Sequence, residues 1–278
     1  DSTGTVWLLL THNLGTDHEA DIIKGKARST RTVWVSHSSD DGHTWVTPSE
    51  ITKTTKKPGW GWYATGPGVG IQIKHGPHKG RLVIPCDHSY DDQNGKLQGG
   101  GFEFGAHSIH SDDHGKTWQL GGVIRPKTNE CQVVELEDTN GSLLMNMRSY
   151  FGRKQRTHAV SRDGGVTWSS PVDVPKLIEP VCQGSIIRFQ RMRPARPGIL
   201  LFSNPASKQG RVKMTVRASF DNGNTWPVAR VLHAGPAAYS CLVSLPENAF
   251  GCLYESGESH AYESIVFHRL PGSALQLP

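Results

Sequence analysis

The sequence predicts an all-β protein, and more narrowly a β-propeller. An eight-residue motif of the form Ser-x-Asp-x-Gly-x-Thr-Trp occurs four times. Short runs of β-branched and other apolar residues lie between Gly and Pro, which is typical of many short strands joined by tight turns. No segment keeps the 3.6-residue apolar period of an amphipathic helix. The four motif copies are residues 38–45, 111–118, 161–168 and 219–226.

Each motif copy is typical of the turn of a β-hairpin. A short β-type run precedes it, the Asp carboxylate can accept hydrogen bonds from turn amides, and the Gly can adopt positive φ. The Trp would then cover the hairpin with its apolar face. Copies at intervals of roughly 50 to 70 residues leave room for about four strands each, the size of a propeller blade. The preceding runs are residues 32–36, 107–111, 158–161 and 212–219.

Other strand candidates follow along the chain at the density that a propeller needs. Each is a short apolar run, and turn-forming residues separate one run from the next. We therefore predict a single propeller domain over residues 1–278. The candidates are residues 5–11, 69–73, 81–85, 132–136, 142–147, 184–189, 199–203, 241–245, 250–255 and 263–270.

Composition and charge narrow the class of protein. The chain has a formal net charge of +5. Its basic residues are scattered and not gathered into a stripe with aromatic residues, so we expect no binding to nucleic acid. No apolar stretch approaches the roughly 18 residues of a membrane span. The chain begins at Asp1 and not at Met, so we expect a processed or trimmed chain, with a secreted or periplasmic location favoured.

Neither the cysteines nor the acidic motif copies predict a metal site. The five cysteines contain no CxxC pair and no histidine spacing typical of zinc, so we expect small buried side chains with at most one or two disulfides. A calcium loop of the EF-hand type needs a closing Glu at its twelfth position, which no motif copy supplies. We therefore expect no metal and no cofactor, and we interpret the motif as structural.

The motif copies and the segments between them resemble the sialidase (neuraminidase) family, in which the motif is called the Asp-box. The resemblance runs in order along almost the whole chain, and it is closer to the cellular sialidases of animals and their bacterial relatives than to the viral enzymes. It implies an exo-α-sialidase on a propeller that has six blades in the family. The segments that carry the resemblance are residues 64–73, 129–149, 182–189, 210–226, 235–245 and 250–257.

The resemblance implies four catalytic residues. Arg148 and Arg211 match two of three family arginines that bind the substrate carboxylate, and the planar guanidinium group suits a carboxylate because it donates two parallel hydrogen bonds. Tyr239 matches the nucleophile, because a neutral oxygen avoids the repulsion that a carboxylate would meet next to the substrate's own carboxylate. Glu130 matches the carboxylate that takes the phenolic proton.

The sequence also departs from the family pattern. Family members have an N-terminal segment of the Phe-Arg-Ile-Pro type with the first arginine, and a following loop with an acidic Asp. This chain resembles the family only from the second blade onward, so we expect about five blades. Either these blades close into a ring, or a second subunit covers the open seam. The possible substitutes for the missing acid are Asp17, Glu19 and Asp21, and those for the missing arginine are Arg28 and Arg31.

Several further residues are candidates for the wall of the pocket. Trp60, Trp62 and Tyr63 lie in a segment rich in aromatic residues, whose rings suit the faces of a sugar. Packing against the blade is an equal alternative for them. Gln183 and Asp87 are candidates for hydrogen bonds to ring hydroxyls or to the glycerol chain of the substrate.

Three functional hypotheses follow. The first is a retaining exo-α-sialidase that removes terminal sialic acid from glycoproteins, glycolipids or oligosaccharides. The second is a propeller that binds sialylated glycans without turnover, which the missing acid favours. The third is a structural Asp-box propeller without a sugar site, which the matched Arg, Glu and Tyr residues argue against. Glu135 and Glu137 remain alternatives to Glu130 as the partner of Tyr239.

Overall fold

The chain folds as an all-β propeller, as the sequence predicts. The computed structural model describes residues 1–91, 103–138, 140–194 and 197–275. Within these ranges, antiparallel strands form four hydrogen-bonded sheets. Helices α1 (Glu19–Ile23) and α2 (Thr52–Thr55) are short. No helix in the described ranges is both long enough and apolar enough to cross a membrane.

The first two sheets come from the N-terminal half of the chain. The first sheet has the strand order β1-β2-β3, and the second has the order β4-β6-β7-β8 with β5 paired to β6. The strands are β1 (Val6–His12), β2 (Thr32–Ser38), β3 (Ser49–Glu50), β4 (Trp60–Ala64), β5 (Ile71–Gln72), β6 (Leu82–Tyr90), β7 (Glu103–Ser111) and β8 (Gln119–Ile124).

The third and fourth sheets follow in the C-terminal half. The third has the order β12-β11-β10-β9, and the fourth is a continuous run from β13 to β18. The strands are β9 (Thr128–Glu135), β10 (Leu143–Ser149), β11 (Gln155–Ser161), β12 (Val172–Ile178), β13 (Ser185–Gln190), β14 (Ile199–Pro205), β15 (Val212–Ser219), β16 (Val228–Leu245), β17 (Ala249–Ser256) and β18 (Ser264–Pro271). A 3-10 turn, Gly272–Leu275, follows β18.

The number of sheets differs from the expected number of blades. The sequence predicts about five blades, whereas the described strands form four sheets. The difference comes from β16, which has 18 residues. Its first half pairs with β15 as far as Pro236, and its second half pairs with β17 from Ala237 onward. Two successive meanders therefore stay hydrogen-bonded as one sheet.

The Asp-boxes have the turn structure that the motif predicts. In the first box, Ser38 Oγ donates to Asp40 Oδ1 at 2.7 Å, and the amide of Gly42 donates to Ser38 Oγ at 2.9 Å. The amide and hydroxyl of Thr44 donate to the two oxygens of Asp40 at 2.8 and 2.6 Å. Gly42 has φ of +88°, which explains the Gly in the motif. The same bonds recur in the other three boxes. Each Asp carboxylate is thus engaged by its own turn.

The four motif tryptophans do not share one environment. Trp118 and Trp226 are 2% exposed and belong to the core, as expected for residues that cover a hairpin. Trp168 is half-buried and donates to Ser108 Oγ at 3.2 Å. Trp45 is 42% exposed, so the expectation that it covers its hairpin is wrong. Its ring nitrogen nevertheless donates to the carbonyl of Gly42 at 3.0 Å, so the exposed ring still helps to hold its turn.

The core lies between neighbouring sheets. Val134 and Leu144 of the third sheet pack with Ile186, Leu200 and Phe202 of the fourth. Similar clusters join the first sheet to the second and fill the inside of the fourth. All five cysteines are free thiols, and four of them are buried, so they contribute to these clusters as small apolar side chains.

Candidate active site

The four residues that the resemblance singles out lie in one cavity of about 520 Å³. Glu130 comes from β9, Arg148 from β10 and Tyr239 from β16. Arg211 is the residue before β15. Three strands of two different sheets therefore bring these side chains together, although Glu130 and Tyr239 are 109 residues apart in the chain.

A chain of hydrogen bonds joins three of these residues. Tyr239 Oη donates to Glu130 Oε1, and Arg148 Nη1 donates to Glu130 Oε2 at 2.7 Å. Arg148 Nη2 donates to Tyr150 Oη, also at 2.7 Å. The Arg148 and Glu130 side chains are only 13% and 12% exposed. The Glu130 carboxylate is thus fixed between a phenol and a guanidinium group in a site with little water.

A β-bulge on β9 aims Glu130 at the cavity. Cys131 pairs with Met147 and Thr128 pairs with Ser149, so Asn129 and Glu130 together oppose Arg148. Successive residues of a regular strand face opposite sides, and a bulge relaxes this alternation. Both bulged residues consequently line the cavity.

A buried ion pair supports the end of β10 beneath Arg148. Arg156 and Glu179 are both fully buried, and Arg156 Nη1 donates to Glu179 Oε2 at 2.8 Å. The other oxygen of Glu179 accepts the amide of Ser149 at 2.8 Å, and Arg156 Nη1 also donates to the carbonyl of Cys182 at 2.6 Å. This network fixes the backbone next to Arg148, and neither Arg156 nor Glu179 lines the cavity.

A second bulge positions Tyr239. Ala237 pairs with Ser256 and Ser240 pairs with Tyr254, so two residues of β16 oppose Glu255 alone. Glu255 Oε2 accepts the amide of Tyr239 at 2.9 Å. The phenol ring is thereby turned toward the cavity, where it meets Glu130.

Arg211 is hydrogen-bonded to residues close to Tyr239 in the structure. Its carbonyl accepts the amide of Ala237 at 2.8 Å, and its Nη1 donates to Tyr262 Oη at 2.5 Å. The guanidinium carbon lies 5.6 Å from the centre of the Tyr239 ring. Arg148 and Arg211 therefore present two positive charges beside one phenol.

The electrostatics of the site keep the phenol neutral. Burial raises the pKa of Tyr239, the charge and hydrogen bond of Glu130 raise it further, and Arg148 opposes them. Burial lowers the pKa of Arg148, but the charges of Glu130 and Tyr150 outweigh burial, so the pKa is raised overall. At neutral pH the site therefore holds a protonated Tyr239 and a charged Arg148.

The lining of the same cavity also contains Glu19, Arg31, Trp62 and Asp87. The Arg31 guanidinium carbon stacks 3.5 Å from the centre of the Trp62 ring. A third bulge aims Trp62, because Gly61 and Trp62 together oppose one residue of β6. Trp62, Asp87, Glu19 and Arg31 line the cavity, whereas Arg28 does not.

Asp17, Asp21 and Gln183 were also candidates for the site, and none of them lines this cavity. Asp17 is buried, and its carboxylate accepts the amides of Arg28 and Ser29 at 3.3 and 3.0 Å, so it holds a loop. Asp21 lies on α1 outside the cavity lining. Gln183 is buried, accepts the amide of Ser240 and donates to the Ser240 carbonyl, both at 2.9 Å. The prediction that Gln183 binds the sugar is therefore corrected, because its side chain supports the backbone of β16.

The aromatic residues of β4 have two different roles, because one lines the cavity and two belong to the core. Trp60 is 3% exposed and stacks on His88 with ring centres 3.5 Å apart. Tyr63 is fully buried and donates to the carbonyl of Thr55 at 3.2 Å. For these two residues packing is the observed role, whereas Trp62 between them lines the cavity. In the described ranges, no three His, Cys, Asp or Glu side chains are grouped to hold a metal.

Sequence analysis missed four residues that shape the site. Tyr150 accepts the Arg148 hydrogen bond, and Phe104 stacks on Tyr150 with ring centres 5.0 Å apart. Asn129 lines the cavity beside Glu130, and Tyr262 accepts the Arg211 hydrogen bond. Tyr150 was detectable, because it follows Arg148 by two residues and side chains two apart in a strand share a face. The other three contacts depend on tertiary structure.

Fold and cavity together define an Asp-box propeller whose cavity presents two guanidinium groups beside a phenol and a carboxylate. A family model described as a BNR repeat-like domain matches residues 1–253. A sialidase of Micromonospora viridifaciens is 38% identical over 86% of this chain and 36% of its own length. Sialidase-2 of Mus musculus is 31% identical over 95% of this chain and 71% of its own length. Among solved structures, the Hadza microbial sialidase Hz136 has a TM-score of 0.80 and 32% identity, over 99% of this chain and 51% of that one.

The chain belongs to the sialidase family, as its sequence predicts. It spans 36% and 46% of the lengths of the first two curated relatives, which are bacterial sialidases. A leech intramolecular trans-sialidase, solved in complex with 2,7-anhydro-Neu5Ac, has a TM-score of 0.74 and 26% identity over 90% of this chain and 38% of that one.

Proposed function

We propose that this chain carries the catalytic pocket of a retaining exo-α-sialidase, which releases terminal sialic acid from glycoproteins, glycolipids or oligosaccharides. The observation that carries the proposal is the hydrogen-bonded series Tyr239, Glu130 and Arg148, with Arg211 beside it in one cavity. Sialic acid has a carboxylate on its anomeric carbon, and two guanidinium groups next to a phenol suit that arrangement.

In the first step Tyr239 Oη attacks the anomeric carbon. The phenolic proton passes to Glu130 Oε1, to which it is already hydrogen-bonded, and the bond from the anomeric carbon to the leaving oxygen breaks. Because the pKa of Tyr239 is raised by burial and by Glu130, attack depends on this proton transfer. Arg148 and Arg211 hold the substrate carboxylate and offset its charge.

In the second step water attacks the glycosyl-tyrosine. Glu130 returns the proton to Tyr239 as the bond between the sugar and Oη breaks, and the water oxygen becomes the new hydroxyl of sialic acid. Two inversions at the same carbon give net retention of configuration. Glu19 is the substitute acid that lines the cavity, and we assign to it the proton that the leaving alcohol takes in the first step. The Glu19 carboxylate then accepts the proton that the attacking water releases in the second step, which restores the starting state of the site.

The test is release of a fluorescent aryl alcohol from its α-sialoside by the full chain. Tyr239→Phe removes the nucleophile and is expected to lower kcat by at least about a hundredfold. Tyr254→Phe is the matched control, because Tyr254 is a buried tyrosine of β17 outside the cavity, and its activity should equal that of the parent.

Equal rates for Tyr239→Phe and the parent would exclude the proposed nucleophile. The stereochemistry is read by proton NMR of the first sugar anomer released, and retention requires the α anomer. Saturable binding of sialic acid without any release of the aryl alcohol would instead support a sialoglycan-binding propeller.

A further inference from the structure

Lys56 is a partly buried lysine whose ammonium group donates all three of its hydrogen bonds to the protein. It directly follows α2, and its amide donates to the carbonyl of Thr52 at 3.0 Å. Its Nζ donates to Thr30 Oγ1 at 2.9 Å, to the Arg31 carbonyl at 2.6 Å and to the Gly61 carbonyl at 3.1 Å. An ammonium group has only three N–H donors, so the role of Lys56 is exerted through these acceptors.

Two of the three acceptors belong to the backbone next to side chains that line the proposed catalytic cavity. Arg31 lines the cavity itself, and Trp62, which follows Gly61 in the chain, lines it too. The amide of Arg31 also donates to the Gly61 carbonyl at 3.3 Å. Lys56 therefore joins the chain before β2 to β4 at the point where the Arg31 guanidinium group stacks on the Trp62 ring.

The peptide group between Gly61 and Trp62 is held at both of its polar atoms. Its carbonyl accepts the hydrogen bond from Lys56, and its N–H donates to Ser89 Oγ of β6 at 2.8 Å. This peptide group lies in the bulge of β4, where the regular alternation of faces does not fix the direction of a side chain. The two hydrogen bonds fix the direction instead, and Trp62 lines the cavity.

Lys56 is not among the described residues that line this cavity, so it acts on the wall and not on a ligand. It lines a separate hollow of about 530 Å³. Burial lowers the pKa of Lys56 to about 8. The side chain is therefore mostly charged at pH 7 and mostly neutral at pH 9, where it keeps two N–H donors. The other charged or titratable groups around it are Lys53, Lys57, Tyr90 and Asp91 in the hollow, and Arg31, Tyr63 and His88 nearby.

We propose that Lys56 is a positioning residue, which holds Arg31 and Trp62 in the cavity wall and so raises the affinity of the pocket for sialic acid. This inference rests on the proposed function. The reacting pair, Tyr239 and Glu130, is held by hydrogen bonds from other strands. Loss of the Lys56 ammonium group should therefore weaken binding of the sugar and leave the chemical step nearly unchanged.

The experiment compares the parent with Lys56→Met, which removes the three donors and keeps an unbranched side chain. Lys53→Met is the matched control, because Lys53 is an exposed lysine of α2, and it should behave as the parent does. The aryl α-sialoside gives kcat and KM at pH 7, and calorimetry gives the dissociation constant of free sialic acid without any need for turnover. Lys56→Met should raise KM and this dissociation constant about tenfold, with kcat within about threefold of the parent.

A double-mutant cycle tests whether Lys56 acts through the wall. In a Trp62→Ala background, Lys56→Met should lower kcat/KM by less than about threefold, because one of the two stacked side chains that Lys56 positions is already absent. A tenfold loss that persists in this background would overturn the proposal, since it would arise elsewhere in the molecule.

The pH dependence supplies an arm that does not rely on the folding of Lys56→Met. In the parent, KM should rise about threefold between pH 7 and pH 9 as Lys56 loses its charge. Lys56→Arg stays charged over this range, so its KM should stay constant. A parent KM that does not change, or an equal rise in Lys56→Arg, would overturn the role of the Lys56 charge.

The outcomes also separate this inference from the proposed function. If the parent binds sialic acid without releasing the aryl alcohol, and Lys56→Met weakens that binding, the proposed function is refuted and the role of Lys56 is supported. If Lys56→Met lowers kcat alone, or changes neither KM nor the dissociation constant, the role of Lys56 is refuted and the proposed function stands. Absence of both binding and turnover in the parent would overturn both.

Discussion

Glu19 illustrates what a single side chain contributes when several candidates exist. The sequence offers three acids near the first helix, and the structure places only Glu19 among the residues that line the cavity. Asp17 accepts the amides of its own loop, and Asp21 lies two residues after Glu19 on α1, so it faces another side of the helix. The role of proton donor to the leaving group is therefore assigned to Glu19.

This assignment predicts a dependence on the leaving group. Glu19→Gln should lower kcat about a hundredfold or more with sialyllactose, whose alcohol needs a proton to depart. With an aryl sialoside the loss should stay within a few-fold, because a phenolate leaves without help. Asp21→Asn, on the same helix, is the control. Steady-state kinetics with both substrates measure the effect, and equal losses on the two would rule out Glu19 as the acid.

The four proposed catalytic residues were predictable only through the resemblance. Nothing in the local sequence of Tyr239 or Arg211 distinguishes them from other half-buried tyrosines and arginines, and their order in recognised segments supplied the assignment. Asp87 was predicted as a sugar contact, but the hydrogen bond that it accepts from Asn129 was not. Such features depend on burial and on pairing between strands, which single residues do not encode.

At the scale of elements, β-bulges determine the direction of several site side chains, which the sequence pattern does not predict. Glu130, Tyr239 and Trp62 each lie in a bulge where two residues oppose one. The alternation of apolar and polar residues predicts which face of a regular strand a side chain takes, and a bulge changes that face locally. Most strands overlap a predicted run, but β3, β4, β8 and β12 were not predicted. The direction of these three side chains was not predicted either.

The length of β16 was also missed, for a specific reason. The sequence predicts a strand over residues 241–245, because Gly235 and Pro236 interrupt the apolar pattern before it. In the structure the strand begins at Val228, and Pro236 lies where its partner changes from β15 to β17. Proline has no N–H to donate, so a change of partner is a position where it is tolerated.

Replacing the motif tryptophan by alanine should lower the free energy of unfolding by different amounts in different Asp-boxes. Trp226→Ala removes a ring that is 2% exposed and packs edge-on against Phe202 with ring centres 5.9 Å apart, so it should lower the free energy of unfolding by about 3 to 5 kcal/mol. Trp45→Ala removes a ring that is 42% exposed and should lower it by less than about 1 kcal/mol. Urea denaturation measures both, and similar losses would contradict the structure.

For the whole molecule, buried histidines predict how stability depends on pH. His88 and His107 are fully buried with pKa values well below the usual range, caused first by burial and then by neighbouring positive charges. Burial, with the charge of Arg156, lowers the pKa of His158 to about 3. These histidines stay neutral in the folded chain, whereas in the unfolded chain they take up protons below about pH 6.5.

The free energy of unfolding should therefore fall as the pH drops from 7.5 to 5. Each histidine contributes up to about 1.4 kcal/mol per pH unit below about pH 6.5. His158→Gln should remove one such contribution and flatten the profile, whereas His43→Gln, at an exposed position, should leave it unchanged. Urea denaturation across this pH range tests the effect, and a profile that is flat for the parent would contradict it.

The arrangement of sheets leaves apolar side chains on the strands at either end of the described chain. Val6 and Leu8 of β1 are each 41% exposed, and Ile265 and Phe267 of β18 are 72% and 51% exposed. Both strands are at sheet edges. The expectation that the blades close or that a second subunit covers this seam stays a prediction.

Strand β16 belongs to two meanders, and this affects which contacts of Tyr239 survive local opening of the sheet. Tyr239 lies just after the point where β16 changes its partner strand. Its own backbone amide donates to the side chain of Glu255 on β17, and the amide of the next residue, Ser240, donates to the side chain of Gln183. Local opening of proteins starts at edges with few contacts, and β18 is such an edge. Neither Glu130 nor Glu255 lies on β18, so fraying of this outermost strand would leave the hydrogen bonds of Tyr239 to both residues in place.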